Sequence, residues 1–209
     1  MARIVKLLRS LPEVFLVRHG ETTWNRIGRH QGQLDSVLTL KGIRQAESVG
    51  QQLKRKIEDW DSIRLFCSPL FRCQQTAAVI SDTVGINFER FVCDERLKER
   101  SFGDWQGLTD SEIIAKYPEA WAARELDMWN YTISGGGENY PALVVRVSEW
   151  LGEQPANSRI LLVSHGQTGR ALRFHYLALP PEEALKLPVP QNVALRLFER
   201  QAYSLDDTC

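Results

Sequence analysis

The chain has 209 residues, and its 26 Lys and Arg balance 26 Asp and Glu, so the formal net charge is zero. That length sets an expectation of one domain over residues 1–209 with a full core. Charge balance argues against nucleic acid and membrane surfaces as partners, yet leaves room for a small positive pocket. No apolar run reaches the length of a membrane span. Met1 to Leu11 is interrupted by Arg3, Lys6 and Arg9, so it reads as no signal-peptide core. Cys67, Cys73, Cys93 and Cys209 form no C-x-x-C pair and no zinc-like spacing with His. Cys67 and Cys93 fall in strand-like apolar runs and read as small hydrophobes, which points to a reducing, cytoplasmic location. Cys209 ends the chain, without the three further residues a prenylation signal needs.

In chain order, Val14 to Val17 is a short apolar run after Pro12 and reads as a buried strand running into Arg18-His19-Gly20. From Thr39 to Lys56, apolar residues at Leu40, Ile43, Ala46, Val49 and Leu53 keep a helical period, with Thr39 as N-cap. Ile63 to Cys67 is the next strand. Ser68-Pro69 then reads as the N-cap and first position of a helix to about Val84. Phe88 to Cys93 is a third strand, and Thr109 to Tyr117 and Leu143 to Leu151 are helices. Ile160 to Val163 is a fully apolar strand, followed by a helix from about Thr168 to Leu177 and a last strand at Val193 to Phe198. Alternating strands and helices predict an α/β fold, a mostly parallel central sheet with helices on both faces. The Trp-rich stretch from Phe102 to Tyr140 is less regular, and its part from about 107 to 140 reads as a lid-like insertion. Gly135-Gly136-Gly137 is a turn before the helix at Pro141, not a phosphate loop, since no strand precedes it and no Lys follows.

Ligands of open α/β sheets bind at the carboxyl ends of strands. There the first strand delivers Arg18-His19-Gly20-Glu21-Thr22, the second Ser68 and, one helical turn on, Arg72, and the fourth Ser164-His165-Gly166. If these strands are neighbours, two His and two Arg converge. Guanidinium forks suit a phosphate, and an imidazole supplies a nucleophile. The Gly after each His allows close backbone approach to a ligand, and the amides after His165 offer an anion site at a helix start. Arg72, a cation in a first helical turn, sits unfavourably unless an anion offsets it. No Asp/Asn cluster is present to hold magnesium, so no metal and no cofactor are expected.

In these residues the chain resembles the histidine phosphatase superfamily, of phosphoglycerate mutase-like fold. Arg18-His19-Gly20-Glu21-Thr22 with Trp24-Asn25 is the signature. Ser68-Pro69-Leu70-x-Arg72-x-x-Gln75-Thr76-Ala77, Leu97-x-Glu99-x-x-Phe102-Gly103-Asp104-Trp105-x-Gly107, and Val163-Ser164-His165-Gly166 with Arg170-Ala171-Leu172 come after it in family order. The likeness spans about Val14 to Phe198, and four ordered blocks at strand-to-helix junctions are far more specific than any one. It implies that His19 attacks phosphorus while neutral, that Arg18, Arg72, Asn25, Gln31 and Gly166 bind the phosphoryl group, that a protonated His165 donates to it, and that Glu99 rather than Glu95 protonates the leaving alcohol. Taken singly, each of these residues has a structural reading. His30 reads as an entrance or surface residue, His175 as structural, and Trp105, Trp121 and Trp129 as packing more than substrate wall.

Within the family, Gln31-Gly32, Gly103-Asp104-Trp105-Gln106-Gly107 and Pro190-Gln191-Asn192-Val193-Ala194-Leu195 resemble the phosphatase branch. Mutases have a longer insertion, a Tyr where this chain has Phe102 and an adjacent Arg pair, against the single Arg124 here. Glu99-Arg100 points the other way, with Arg100 a candidate substrate-rim residue for a carboxylate. The resemblance therefore implies a metal-independent phosphatase acting on a small phosphomonoester through phosphohistidine. The alternatives are a cofactor-dependent phosphoglycerate mutase and a catalytically silent phospholigand-binding protein. Oligomeric state is not readable.

Overall fold

The structure is a computed structural model that describes residues 10–206. The expectations placed on residues 1–9 and on Cys209 lie outside the described residues. Six strands form one sheet in the order β3-β2-β4-β1-β5-β6. These are β1 (Glu13–Arg18), β2 (Ile63–Cys67), β3 (Val92–Cys93), β4 (Arg159–Ser164), β5 (Leu195–Phe198) and β6 (Gln201–Ser204). The first four in space are parallel, and β5 and β6 turn antiparallel at one edge. The predicted α/β class and mostly parallel sheet are what the chain adopts.

Central strands buried on both faces need apolar residues throughout, and alternate residues serve opposite layers. Phe15, Val17, Leu65, Cys67, Leu161 and Val163 face one core, shared with Val49 and Leu53 of α2 (Leu40–Lys56) and Ala77 and Ile80 of α3 (Phe71–Val84). Val14, Leu16, Phe66, Ile160 and Leu162 face the other, closed by Leu143, Val147 and Trp150 of α6 (Tyr140–Gly152) and Ala171, Leu172 and Tyr176 of α7 (Gly166–Leu177). A third apolar cluster, Phe102, Trp105, Ile113 and Ile133, belongs to the lid-like region. That region carries α4 (Asp110–Lys116), with a capping box between Thr109 and Glu112, and α5 (Pro118–Leu126). α5 is a regular helix where the sequence pattern predicts irregular chain.

Other departures have local causes. The helix expected from Ser68-Pro69 starts at Phe71, because Ser68 Oγ is engaged elsewhere and the Asp35 carboxylate accepts from the Phe71 amide at 2.8 Å. Phe88 to Cys93 is not one strand. Asn87 caps a 3-10 turn at Phe88–Arg90, leaving two residues for β3, where Cys93 is exposed rather than a buried hydrophobe. Asn139 caps α6 earlier than expected, at Tyr140. The predicted last strand shrinks to β5, and β6 is an addition to the expected elements. Their hairpin turns through Glu199 and Arg200 at φ 48° and 59°, where Asn-Gly is the usual signal. The short helices α1 (Thr23–Arg26) and α8 (Pro181–Lys186) complete the elements.

Candidate active site

Register builds the site. Arg18 pairs with Ser164 across β1 and β4, and Cys67 with Val163 across β2 and β4. The ladder then runs one step beyond the strands, with the His19 amide on Ser164 O at 3.0 Å and the Ser68 amide on Val163 O at 3.0 Å. His19, Ser68 and His165 thus emerge in one row, and the two imidazoles meet edge to face at 5.3 Å between centroids. His19 borders a cavity of about 130 Å³ lined also by Arg18, Asn25, Arg29, His30, Gln31, Gly32, Arg72, Glu99, Phe102 and Gln167. That is below the roughly 300–1,000 Å³ of drug-sized ligand sites, which suits a small head group with the remainder outside. His165 lies behind that wall, on a separate small pocket it shares with Arg18 and Gly166.

His19 is 3% exposed, and its Nδ1–H donates to Gly20 O at 2.8 Å, leaving Nε2 with the lone pair. Burial, then the charges of Arg72 and Arg18, hold its pKa well below the ordinary imidazole value. His165 is held well below it as well, by burial, Arg72, His19 and Arg18. It shares a 2.7 Å hydrogen bond between Nε2 and Ser68 Oγ, and Cys73 Sγ lies 3.4 Å from the same nitrogen. The protonated His165 implied by resemblance is therefore a neutral one in the free site, and a proton there would have to come with an incoming anion. Both rings are depressed on folding, so the unfolded chain binds more protons as pH falls below about 6.5. Stability is expected to be full above that value and to fall towards pH 5, by up to about 1.4 kcal/mol per pH unit for each ring. Urea midpoints across that range measure it, and a flat profile would contradict the two depressed histidines.

Arg72 is fully buried. It donates to Gly32 O at 2.7 Å, Leu34 O at 2.7 Å and Asp35 Oδ1 at 2.8 Å, while its Nε lacks a partner. The anion that offsets a cation at this helix start is thus Asp35, a protein group without a sequence signal, and not a ligand. Arg18 donates to Val189 O at 2.6 Å and also keeps an unpartnered Nε. Asn25 Oδ1 accepts from the Thr22 amide and from Gln191 Nε2, each within 3.2 Å, and Gln31 Oε1 accepts from Ser36 at 2.9 Å. Both residues line the cavity, and neither NH2 group has a protein partner among the described residues.

Glu99 occupies the α7 start. Its carboxylate accepts from the amides of Gln167 and Thr168, from Thr168 Oγ1 and from the Arg100 amide. Two of the amides expected to form an anion site after His165 are taken by this protein carboxylate, and that cap is why α7 begins at Gly166 rather than Thr168. Gly166 does not line the cavity. It lies behind the Arg18 guanidinium, where an added Cβ would sit 3.4 Å from Nε. Gly20 likewise serves the protein, since a Cβ there would come 2.3 Å from Gly42 O in the first turn of α2. Arg100 is not a rim residue. It is 2% exposed, stacked between Phe102 and Tyr140 at 4.8 Å from each ring, and absent from the cavity wall. Trp105, Trp121 and Trp129 pack in clusters and do not reach the cavity either.

Two supports have no signal in the sequence. Arg146 of α6 donates to the carbonyls of Arg96, Lys98 and Glu99 and pairs with Glu138, fixing the segment that presents Glu99. Gln191 ties Asn25 to His19 O at 3.1 Å. Each acts on a backbone group far away in sequence, which no local pattern announces. Among the described residues, no three His, Cys, Asp or Glu side chains gather to hold a metal ion, and no helix is long and apolar enough to cross a membrane.

His19, the Arg18 and Arg72 guanidiniums and Glu99 thus line one small polar cavity at the carboxyl ends of parallel strands, with the His165 ring beside His19. The chain belongs to the histidine phosphatase superfamily (branch 1), whose family model matches residues 14–205. It is 36% identical over 171 residues to the metal-independent phosphoserine phosphatase of Arabidopsis thaliana, covering 80% of this chain and 70% of that one. It is 38% identical over 195 residues to the probable phosphoglycerate mutase GpmB of Yersinia enterocolitica, covering 90% and 85%. Among solved structures, the alpha-ribazole phosphatase of Shigella flexneri superposes with a TM-score of 0.75 at 28% identity, over 92% of this chain and 94% of that one. A mycobacterial glucosyl-3-phosphoglycerate phosphatase complexed with VO3 gives 0.71 at 30% identity, over 88% and 92%. The fold is thus phosphoglycerate mutase-like.

Proposed function

We propose that this chain is a metal-independent phosphomonoesterase that hydrolyses a small phosphate ester through a phosphohistidine on His19. The carrying observation is His19 itself: Nδ1–H is committed to Gly20 O, and burial with Arg72 and Arg18 keeps the ring neutral. Nε2 is then an unprotonated nucleophile beside two fixed positive charges. Arg18, Arg72 and the NH2 groups of Asn25 and Gln31 hold the phosphoryl oxygens. As His19 Nε2 bonds to phosphorus, the ester P–O bond breaks, and Glu99, the one carboxylate lining the cavity, protonates the departing alkoxide. Water then attacks phosphorus, Glu99 takes its proton, and the P–N bond breaks to free phosphate and His19. The incoming dianion favours a proton on His165, which then donates to it.

Phosphorus NMR with EDTA present tests this against 3-phosphoglycerate, a trace of 2,3-bisphosphoglycerate and a panel of phosphate esters. Inorganic phosphate is the expected product. Appearance of 2-phosphoglycerate without free phosphate would make the chain a mutase, the activity in the name of its Yersinia relative. No product, and no acid-labile phosphate on His19 with any ester, would leave a silent phospholigand-binding protein.

Glu99→Gln is expected to lower kcat/KM, which reports the step that expels the alcohol, about 10²–10⁴-fold for alkyl esters, the usual worth of a general acid. The loss should shrink for p-nitrophenyl phosphate, whose leaving group needs no proton. Equal losses in kcat/KM for both ester types would remove Glu99 as the acid for the leaving group.

A further inference from the structure

The cavity wall contains one histidine besides His19. His30 belongs to the lid side. Its amide donates to Leu108 O at 2.9 Å, and its carbonyl accepts from the Gly107 amide at 2.7 Å. Its ring meets Phe102 edge to face at 5.0 Å, and Nε2 lies 2.6 Å from Asp110 Oδ1 in the first turn of α4. A carboxylate only accepts, so Nε2 carries the hydrogen of that bond. Nδ1 has no protein partner among the described residues, and in the neutral ring it is an acceptor. Apart from the His19 Nε2 lone pair assigned to phosphorus, the unengaged groups of the phosphoryl pocket are donors: the NH2 groups of Asn25 and Gln31 and the guanidinium nitrogens. A phosphate dianion accepts hydrogen bonds and donates none, so it has no use for a further acceptor. A hydroxyl on the alcohol portion does.

We infer that His30, braced by Asp110, reads the alcohol portion of the ester by accepting a hydrogen bond from one of its hydroxyls, so that polyol or sugar phosphates are selected over plain alkyl phosphates. This rests on the phosphomonoesterase reading above and names the substrate class of that site. The His30 backbone is pinned by main-chain bonds that survive substitution, so variants there keep the local fold.

The test compares glycerol 1-phosphate with propyl phosphate, which differ only in the two hydroxyls. For His30→Leu, the ratio of kcat/KM between the two esters is expected to fall about three- to tenfold, the worth of one hydrogen bond, with the change in KM. His30→Asn keeps an acceptor near the Nδ1 position and is expected to recover most of the ratio. Asp110→Ala, which frees the ring to turn, is expected to lower it as well. An unchanged ratio in His30→Leu, or equal losses on both esters, overturns the inference while leaving the phosphatase reading intact. Failure of the unsubstituted protein to release phosphate from either ester would strike that underlying reading and the inference with it.

Discussion

Replacing His19 by Ala is expected to abolish phosphate release, by about 10⁴-fold or more, as removal of a covalent nucleophile does. His19 makes one side-chain hydrogen bond, to the carbonyl of its own neighbour Gly20, so the fold has little to lose. Unfolding free energy should stay within about 1 kcal/mol of the parent. Acid-labile, base-stable phosphate should also vanish from the protein after mixing with substrate. Retained turnover would end the assignment of His19 as nucleophile. Retained labelling on another residue would point to His165, the other buried imidazole in the row.

Arg72→Met has a double expected effect. Loss of a fixed donor to the developing phosphoryl charge is worth about 10²–10³-fold in rate. After burial, the Arg72 charge is also the largest influence depressing His19, so its removal lets the His19 pKa rise. A nucleophile that must be neutral then loses activity sooner on acidification, and the acid limb of kcat/KM moves to higher pH. The fold suffers as well. The carbonyls of Gly32 and Leu34 lose their donor, at about 1–3 kcal/mol for each group left buried and unpaired. Arg72→Lys is not expected to restore either property, because one ammonium cannot span Gly32, Leu34, Asp35 and a ligand together. A pH–rate profile with an unmoved acid limb would show that Arg72 does not tune His19.

The legible part of this molecule is the part written in short range. Apolar runs announce β1, β2 and β4, and the polar residues just past their carboxyl ends, Arg18-His19, Ser68 and His165, announce chemistry there. The sheet order then brings those ends together. Less legible is whatever acts through a distant backbone group. Asp35 caps a helix 36 residues away, and Arg146 grips carbonyls some 47 to 50 residues before it. Arg18 is anchored 171 residues on, at Val189. Arg100 misleads for a related reason: its neighbour Glu99 lines the cavity, but the Arg100 side chain lies between the rings of Phe102 and Tyr140 instead. Gly20, after the first histidine, reads as ligand-facing and instead relieves a clash with α2, while Gly166 lies off the cavity wall in ordinary contact with Arg18.

The lid-like region keeps an apolar cluster of its own, built on Phe102, Trp105, Ile113 and Ile133, apart from the two cores that flank the sheet. Most of that cluster's partners come from the same stretch of chain, among them Tyr117, Trp121 and Tyr131. On the proposed reading, divergence there reaches the cavity through Phe102 and leaves the strand ends with His19 and Arg18 unaltered. Two clocks of sequence change could then run in one chain, a slow one for the chemistry and a faster one for the choice of ester. The relatives named for different phosphate esters are what such a division of labour would leave behind.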